Sequence, residues 1–253
     1  MIYKKEANDI INASVYVIEQ LLKEKRPSNP VIIKPNLVNP SLPPTTTDVR
    51  VVEGIIRALR EHDIDDITIA EGSGSGDTLE NFNQLGFSGL GIRLLDLDRE
   101  TTITMPVNNH RVWSDITIPE ILLNKFIISV PVLKEHSMCG VTISLKNMVG
   151  ILPAKEYSGY WTYKKSEIHR YDTDGCIADI INIIKPDWAV VDATIGMKGS
   201  HVSGTPCAPP INLVYGSSDT LEADRFGCEL LGRDWRDIRY LKFIDDTICA
   251  RNL

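Results

Sequence analysis

Residues 30–38, PVIIKPNLV, and the TTTDVRVVEGIIRALREHDI of residues 45–64 decide the fold. The first is a short β-branched run closed by Pro35 and Asn36, which reads as a buried strand leading into a loop. In the second, Thr47 or Asp48 can cap a helix whose apolar positions Val51, Val52, Ile55, Ile56 and Leu59 share one face. Strand, polar loop and amphipathic helix together make the repeating unit of a parallel sheet.

The same grammar recurs downstream. DITIAEGSGSGDT, residues 66–78, predicts a strand ending at Glu71, a Gly and Ser loop, and a helix beginning near Asp77 or Thr78. Residues 91–119, GIRLLDLDRETTITMPVNNHRVWSDITIP, hold short strand-like runs and few helical signals, and predict an antiparallel ribbon at a sheet edge. KFIISVPVLKEH, residues 125–136, predicts a third buried strand ending at Pro131 to His136, and a fourth runs from Trp188 to an acid, Asp192. INLVYG, residues 211–216, adds a strand. A helix from Ser218 to Leu231 closed by Gly232 and another around Trp235 to Phe243 complete the chain. The first 25 residues read as an amphipathic helix, since Asn, Glu and Gln interrupt the apolar positions that a signal peptide would need.

The fold expected is α/β, a mostly parallel sheet flanked by helices with an antiparallel edge ribbon in the middle of the chain, forming one domain over residues 1–253. Residues 154–175 are expected to be a lid or insert. Within them YSGYWTYKKSEIHRYD alternates aromatic and basic residues, with Lys164 and His169 facing inward and Tyr160 and Trp161 as packing anchors; an exposed loop is the alternative.

At 253 residues, with 43% hydrophobic and 24% charged, the chain can bury a substantial core. A net charge of -7 without a basic stripe argues against nucleic acid as a partner. No run approaches the roughly 18 to 20 apolar residues of a membrane span, so a cytoplasmic address and no membrane partner are expected. The five cysteines, Cys139, Cys176, Cys207, Cys228 and Cys249, are odd in number and spread out, which suits reduced thiols.

In open parallel sheets the ligand crevice lies beyond the carboxyl ends of the strands, where Lys34, Asn36, Glu71, Ser73, Lys134, His136 and Asp192 would gather. Lys34 follows an apolar run and must either reach a partner in the crevice or bend to water. Thr45, Thr46, Thr47 and Asp48 precede a helix start, where free N–H groups attract phosphate or carboxylate, although simple capping accounts for one of the four. GSGSGDT fits neither G-x-G-x-x-G nor G-x-x-x-x-G-K-[ST], so standard nucleotide loops are not indicated. The densest reactive cluster is KEHSMCGVTISLKNMVGILP, residues 134–153, with Lys134, His136, Cys139, Lys146 and Asn147. His136 can transfer a proton near neutral pH, and a desolvated Lys146 can bind an anion or act as a nucleophile. The plainer readings make Cys139 a small buried hydrophobe and Lys146 a surface cation. One His and one Cys three apart are half a metal site at most, so no metal ligands are assigned.

KPNLV, TTTDVRVVEGIIRAL, ITIAEGSG, IPEILL, FIISVPVLKEH, GVTISLKNMVGILP, IKPDWAVVDATIGM and EADRFGCELLG together resemble the domain of unknown function 362 family, whose members occur alone or fused to iron-sulfur ferredoxin modules. The resemblance covers most of the chain. It implies a shared α/β fold without assigning an activity, and it admits an iron-sulfur cluster or a ferredoxin-type redox partner, although the run C-x2-C-x2-C-x3-C is absent here. More distantly, the order of His136, a Gly-containing stretch and Lys146 resembles lactate racemases that use a nickel-pincer nucleotide. Gly74 stands where their second catalytic histidine would be.

The functional expectation is an enzyme for a small anionic substrate or a phosphorylated, nucleotide-like cofactor. His136, Lys146, Glu71 and Asp192 would carry the chemistry; Lys34, Asn36, Thr45, Thr46, Thr47, Ser73, Lys134 and Asn147 would hold the ligand. The alternatives are an iron-sulfur or redox accessory protein, for which Cys139, Cys176 and Cys207 would have to meet in space, and a non-catalytic binder of small molecules.

Overall fold

The computed structural model describes residues 1–251. In chain order its main elements are β1 (Tyr3–Glu6), α1 (Ile10–Glu24), β2 (Val31–Pro35), α2 (Val49–Glu61), β3 (Ile67–Glu71), α3 (Thr78–Gln84) and β4 (Arg93–Asp96). There follow β5 (Thr102–Pro106), β6 (Asp115–Pro119), β7 (Phe126–Val130), β8 (Val132–His136), β9 (Gly140–Thr142), α4 (Ser144–Asn147) and α5 (Ala154–Tyr157). The remainder is α6 (Thr173–Ile183), β10 (Trp188–Lys198), β11 (Thr205–Pro206), β12 (Leu213–Ser217), α7 (Thr220–Leu230) and α8 (Arg239–Arg251).

The main sheet has ten strands, with a central path β1-β12-β10-β7-β2-β3-β4. From β10 to β4 every neighbour on that path is parallel, while β12 and β1 add an antiparallel edge. Period-two alternation builds a core on each face. Val31 and Ile33 of β2, Ile128 of β7 and Val190 of β10 pack with α1 and α2 on one side, where Val17, Leu21, Val51, Ile55 and Leu59 are buried. Ile32, Ile127 and Val191 point to the other side, against Ile177 and Ile180 of α6 and Leu241 of α8. Gly54 lets α1 and α2 approach closely, since a Cβ there would stand 2.7 Å from Ser14 Cβ.

The first two strand-loop-helix units lie where the periodicity puts them, and Asp48, not Thr47, caps α2 by accepting from the Arg50 N–H at 2.9 Å. In the middle of the chain β5 and β6 pair antiparallel from Thr102↔Pro119 to Pro106↔Asp115, as a separate two-stranded sheet. The start of that segment, β4, continues the main sheet in parallel instead, with Leu94 and Leu95 packing against the two opposite cores.

Four element boundaries differ from the sequence reading. Residues 3–6 form a strand on β12, because Asp9 starts α1 by accepting from the Asn12 N–H and leaves the preceding residues free to pair. Phe126–His136 is two strands, broken at Pro131, which has no N–H to give a ladder. The strand from Trp188 does not end at Asp192. It runs on to Lys198, because Asp192 is paired with Val214 on one side and Val132 on the other and a register shift beyond it bends the strand. At the carboxyl end, Trp235–Asp237 is a separate tight turn capped by Asp234, and α8 begins only at Arg239.

No helix among the described residues is long and apolar enough to cross a membrane.

Candidate active site

Parallel strands deliver their C-terminal residues to one edge of the sheet, and the cavity lies there. It has a volume of about 110 Å³ and is reached by side chains from β2 (Asn36, just beyond it), β3 (Glu71), β8 (Lys134 and His136) and α4 (Lys146 and Asn147). Six residues expected in a site therefore share one wall. Loops supply the rest, including Gly72 and Gly74, Tyr163 to Lys165, Ile168, His169 and His201.

Lys34 lies beneath this wall, 1% exposed. Its Nζ donates to Glu71 Oε2 at 2.8 Å, to Asn147 Oδ1 at 3.3 Å and to its neighbour's carbonyl, Pro35 O, at 3.2 Å. Burial lowers the Lys34 pKa while the Glu71 carboxylate opposes that shift. Glu71 also accepts from Gly72 N at 2.8 Å and Leu37 N at 3.3 Å, so its oxygens are committed to structure. Gly150 packs on this pair: a Cβ there would stand 2.7 Å from Lys34 Nζ. Asn147 ties the turn bearing Lys146 to β2 and β7 by donating to Lys34 O at 3.2 Å and Ser129 Oγ at 3.1 Å and accepting from Asn36 Nδ2 at 3.1 Å.

Lys134 is as deeply buried as Lys34 but has only neutral acceptors, Asn36 Oδ1 at 2.6 Å and Thr45 O at 2.8 Å. Burial, with Lys146 nearby, pushes its pKa down to about 7. Lys146 is half-buried in the cavity wall and takes part in no hydrogen bond or ion pair among the described residues; burial lowers its pKa too. The short helix α4 that carries it is capped from afar, because Asp224 accepts from Ser144 N at 2.8 Å, Ser144 Oγ at 2.7 Å and Leu145 N at 3.1 Å.

His136 ends β8, and the hairpin to β9 turns at Gly140, whose φ of +77° would strain any other residue. The backbone N–H groups of Met138 and Cys139 both point at His136 Nδ1, at 3.1 and 3.3 Å. These bonds assign the proton to Nε2, so the ring is a hydrogen-bond donor at that atom. Burial and the neighbouring Lys146 hold it neutral, with a pKa far below the ordinary histidine range. His201 stacks on it with ring centroids 4.0 Å apart, and its pKa is pushed down to about 3 by burial and Lys146. His169 is pushed down to about 4 by the same two causes and lies against Trp161.

From the segment 154–175, Tyr163, Lys164, Lys165, Ile168 and His169 line the cavity. Lys164 N donates to Gly74 O at 2.9 Å, which ties it to the loop after β3. Asp98 holds two of the segment's lysines, Lys165 Nζ at 2.7 Å and Lys164 Nζ at 3.2 Å. Burial opposes ionisation of Asp98, but those ammonium groups still keep its pKa below the usual carboxylate value.

Several residues expected at the site stand behind it. Thr47 Oγ1 donates to Val130 O at 2.7 Å and accepts from Asn36 N at 2.8 Å, Thr46 Oγ1 donates to Ser41 O, and Thr45 contributes its carbonyl to Lys134. Ser73 Oγ accepts from Asn81 Nδ2 at 3.0 Å. Asp192 accepts from Asp48 N at 2.8 Å and Thr194 Oγ1 at 2.7 Å. None of these five side chains lines the cavity. His201 and Lys165, with its partner Asp98, were not singled out from sequence, where Asp224 stands as a candidate against the plainer reading of a surface carboxylate on its helix. The Gly-rich GMKGSHVSGTP around His201 was the available signal.

The donor set does not fit a metal or an iron-sulfur cluster. No three His, Cys, Asp or Glu side chains converge to hold a metal among the described residues. Cys139 and Cys176 lie inside the apolar core, where burial pushes the Cys139 thiol up to about 11, and that of Cys176 higher, away from the thiolate that a cluster requires.

A family model described as Domain of unknown function (DUF362) matches residues 31–229. The chain belongs to this family. No curated protein and no solved structure matches the chain. The DUF362 span begins with β2 and ends in α7, so it contains every residue lining the cavity, from Asn36 to His201, and also Asp224, which caps the turn bearing Lys146.

Proposed function

We propose that the cavity is the active site of an enzyme acting on a small substrate with a carboxylate or phosphate group. One observation carries the reading. Lys34 is paired with Glu71, and Lys164 and Lys165 share Asp98, but Lys134 and Lys146 have no carboxylate within ion-pair distance among the described residues. Two unpaired amines in one cavity, Lys134 buried and Lys146 half-buried, are costly unless an anion completes them. The phosphate of a nucleotide-like cofactor would satisfy the same groups.

The roles follow from the hydrogen bonds. Lys134, with Lys164 at the rim, binds the acid group. The Nε2–H of His136 donates to the substrate oxygen on which charge develops, in the manner of a neutral imidazole electrophile rather than a base, because Nδ1 is already engaged. The amine of Lys146, whose pKa burial lowers, faces the same cavity and exchanges the proton that leaves the substrate. Residues 154–175 act as the cover that excludes water, which strengthens each of these interactions.

Isothermal titration with phosphate, acetate and pyruvate tests the binding step. Wild-type protein binds one or more of them, and Lys146→Met and Lys134→Met each weaken the affinity by about tenfold or more, the range for a charged hydrogen bond. Exchange of substrate hydrogen with D₂O, followed by NMR and lost in Lys146→Met, tests the proton transfer. Absence of any anion binding, or affinities equal in both variants and wild type, overturns the proposal.

A further inference from the structure

A second cavity of about 250 Å³, more than twice the volume of the first, opens beside it. The two share Val38, Gly74, Tyr163 and His201, so they are successive compartments of one cleft. Their chemistry differs. The first holds the lysines, whereas among the described residues no Lys or Arg lines the second, which is walled by Val38, Val202 and the Tyr163 ring, with Asn39, His201 and the small Gly74 and Ser75. Val202 and Tyr163 are exposed, at 38% and 39%.

At the junction stands His201. Its ring is stacked on His136, and its Nδ1 is buried with no hydrogen-bond partner among the described residues. Buried polar atoms are normally satisfied, so this one calls for a group supplied from outside the chain.

From this arrangement we infer that the ligand is amphipathic: an acid group among the lysines, a polar linking atom at His201 Nδ1, and an aliphatic or aromatic tail between Tyr163 and Val202. This rests on the anion site proposed above and names its ligand class. Beyond His201 the polar side chains of this compartment are Asn39, whose Oδ1 already accepts from Ser41 N at 2.9 Å, Ser75 and the Tyr163 hydroxyl, a small set beside Val38 and Val202, so polyhydroxylated tails are disfavoured there.

The test is titration of wild-type protein with monoalkyl phosphates and straight-chain carboxylates from methyl to octyl. Affinity rises by about fourfold for each methylene that enters the second compartment, then levels off when it is full. The readout is the ratio of long-chain to short-chain affinity, and Val202→Gln, a surface change that the fold tolerates, collapses that ratio. Tyr163→Ser collapses it as well. Short anions that bind without any gain from chain length, or a gain that both variants retain, overturn this inference and leave the anion site standing. Failure of every anion, short and long, overturns both.

Discussion

Asp224 accepts hydrogen bonds from both the backbone N–H and the hydroxyl of Ser144, at 2.8 and 2.7 Å, and so fixes the start of the turn that carries Lys146. The acid comes from α7 and the serine from α4, 80 residues earlier in the chain. A lysine on a four-residue helix could not hold its own direction; Asp224 at one end and Asn147 at the other give it one.

Replacing Asp224 by Ala leaves the buried Ser144 and Leu145 N–H groups without acceptors. An unsatisfied buried donor costs about 1–3 kcal/mol, so Asp224→Ala is expected to lose roughly 2–4 kcal/mol in urea unfolding and to lower anion affinity through Lys146. Burial raises the Asp224 pKa to about 7, so the unfolded chain releases this proton first as pH rises. Its contribution to stability therefore falls between about pH 4 and pH 7, and that decline is absent in Asp224→Ala. Equal unfolding midpoints for the two proteins across this range would refute the role.

Lys34 and Glu71 form an ion pair with both side chains at 2% exposure or less. Removing one partner strands the other, and Lys34→Met or Glu71→Gln is expected to cost about 3–5 kcal/mol. The double replacement Lys34→Met/Glu71→Leu recovers much of that loss, since apolar side chains of similar volume no longer leave a charge behind. Gly150→Ala breaks the pair sterically and resembles the single variants. A thermodynamic cycle with additive single losses would mean that the two residues do not act as a pair.

The strand ends were legible because β-branched runs of five residues closed by a polar group leave little choice of structure, and they placed Lys34, Asn36, Glu71, Lys134 and His136 at one edge of the sheet. What the sequence could not disclose was which polar groups are spent internally. Thr47 reads as a ligand contact and Asp192 as a catalytic carboxylate, yet Thr47 Oγ1 is spent on Asn36 N and Val130 O, and Asp192 on Asp48 N. His201 escaped notice because its loop reaches the cavity only through the extension of β10 past Asp192. The Asp224 cap joins segments with no local periodicity between them.

His136 should remain neutral and carry its proton on Nε2 throughout the range pH 5 to 8, because two backbone donors occupy Nδ1 and burial beside Lys146 opposes a second proton. Long-range ¹H–¹⁵N NMR on labelled protein reads the tautomer directly. A ring that titrates near the ordinary value of about 6.5, or one protonated at Nδ1, would contradict the donor role.

Anion affinity should depend on pH through Lys134. Its amine is protonated below a pKa of about 7 and neutral above it, and an anion binds the protonated form better. Affinity is therefore highest below pH 7 and falls as pH rises, by up to tenfold per pH unit for a single coupled proton. At pH 8, binding draws a proton from solvent, which appears as a dependence of the measured heat on the ionisation enthalpy of the buffer. Lys134→Met lowers the affinity at pH 6 and shallows the decline above pH 7, leaving the part that belongs to Lys146. A wild-type affinity unchanged between pH 6 and 8.5, with no buffer dependence of the heat, would show that Lys134 does not meet the anion.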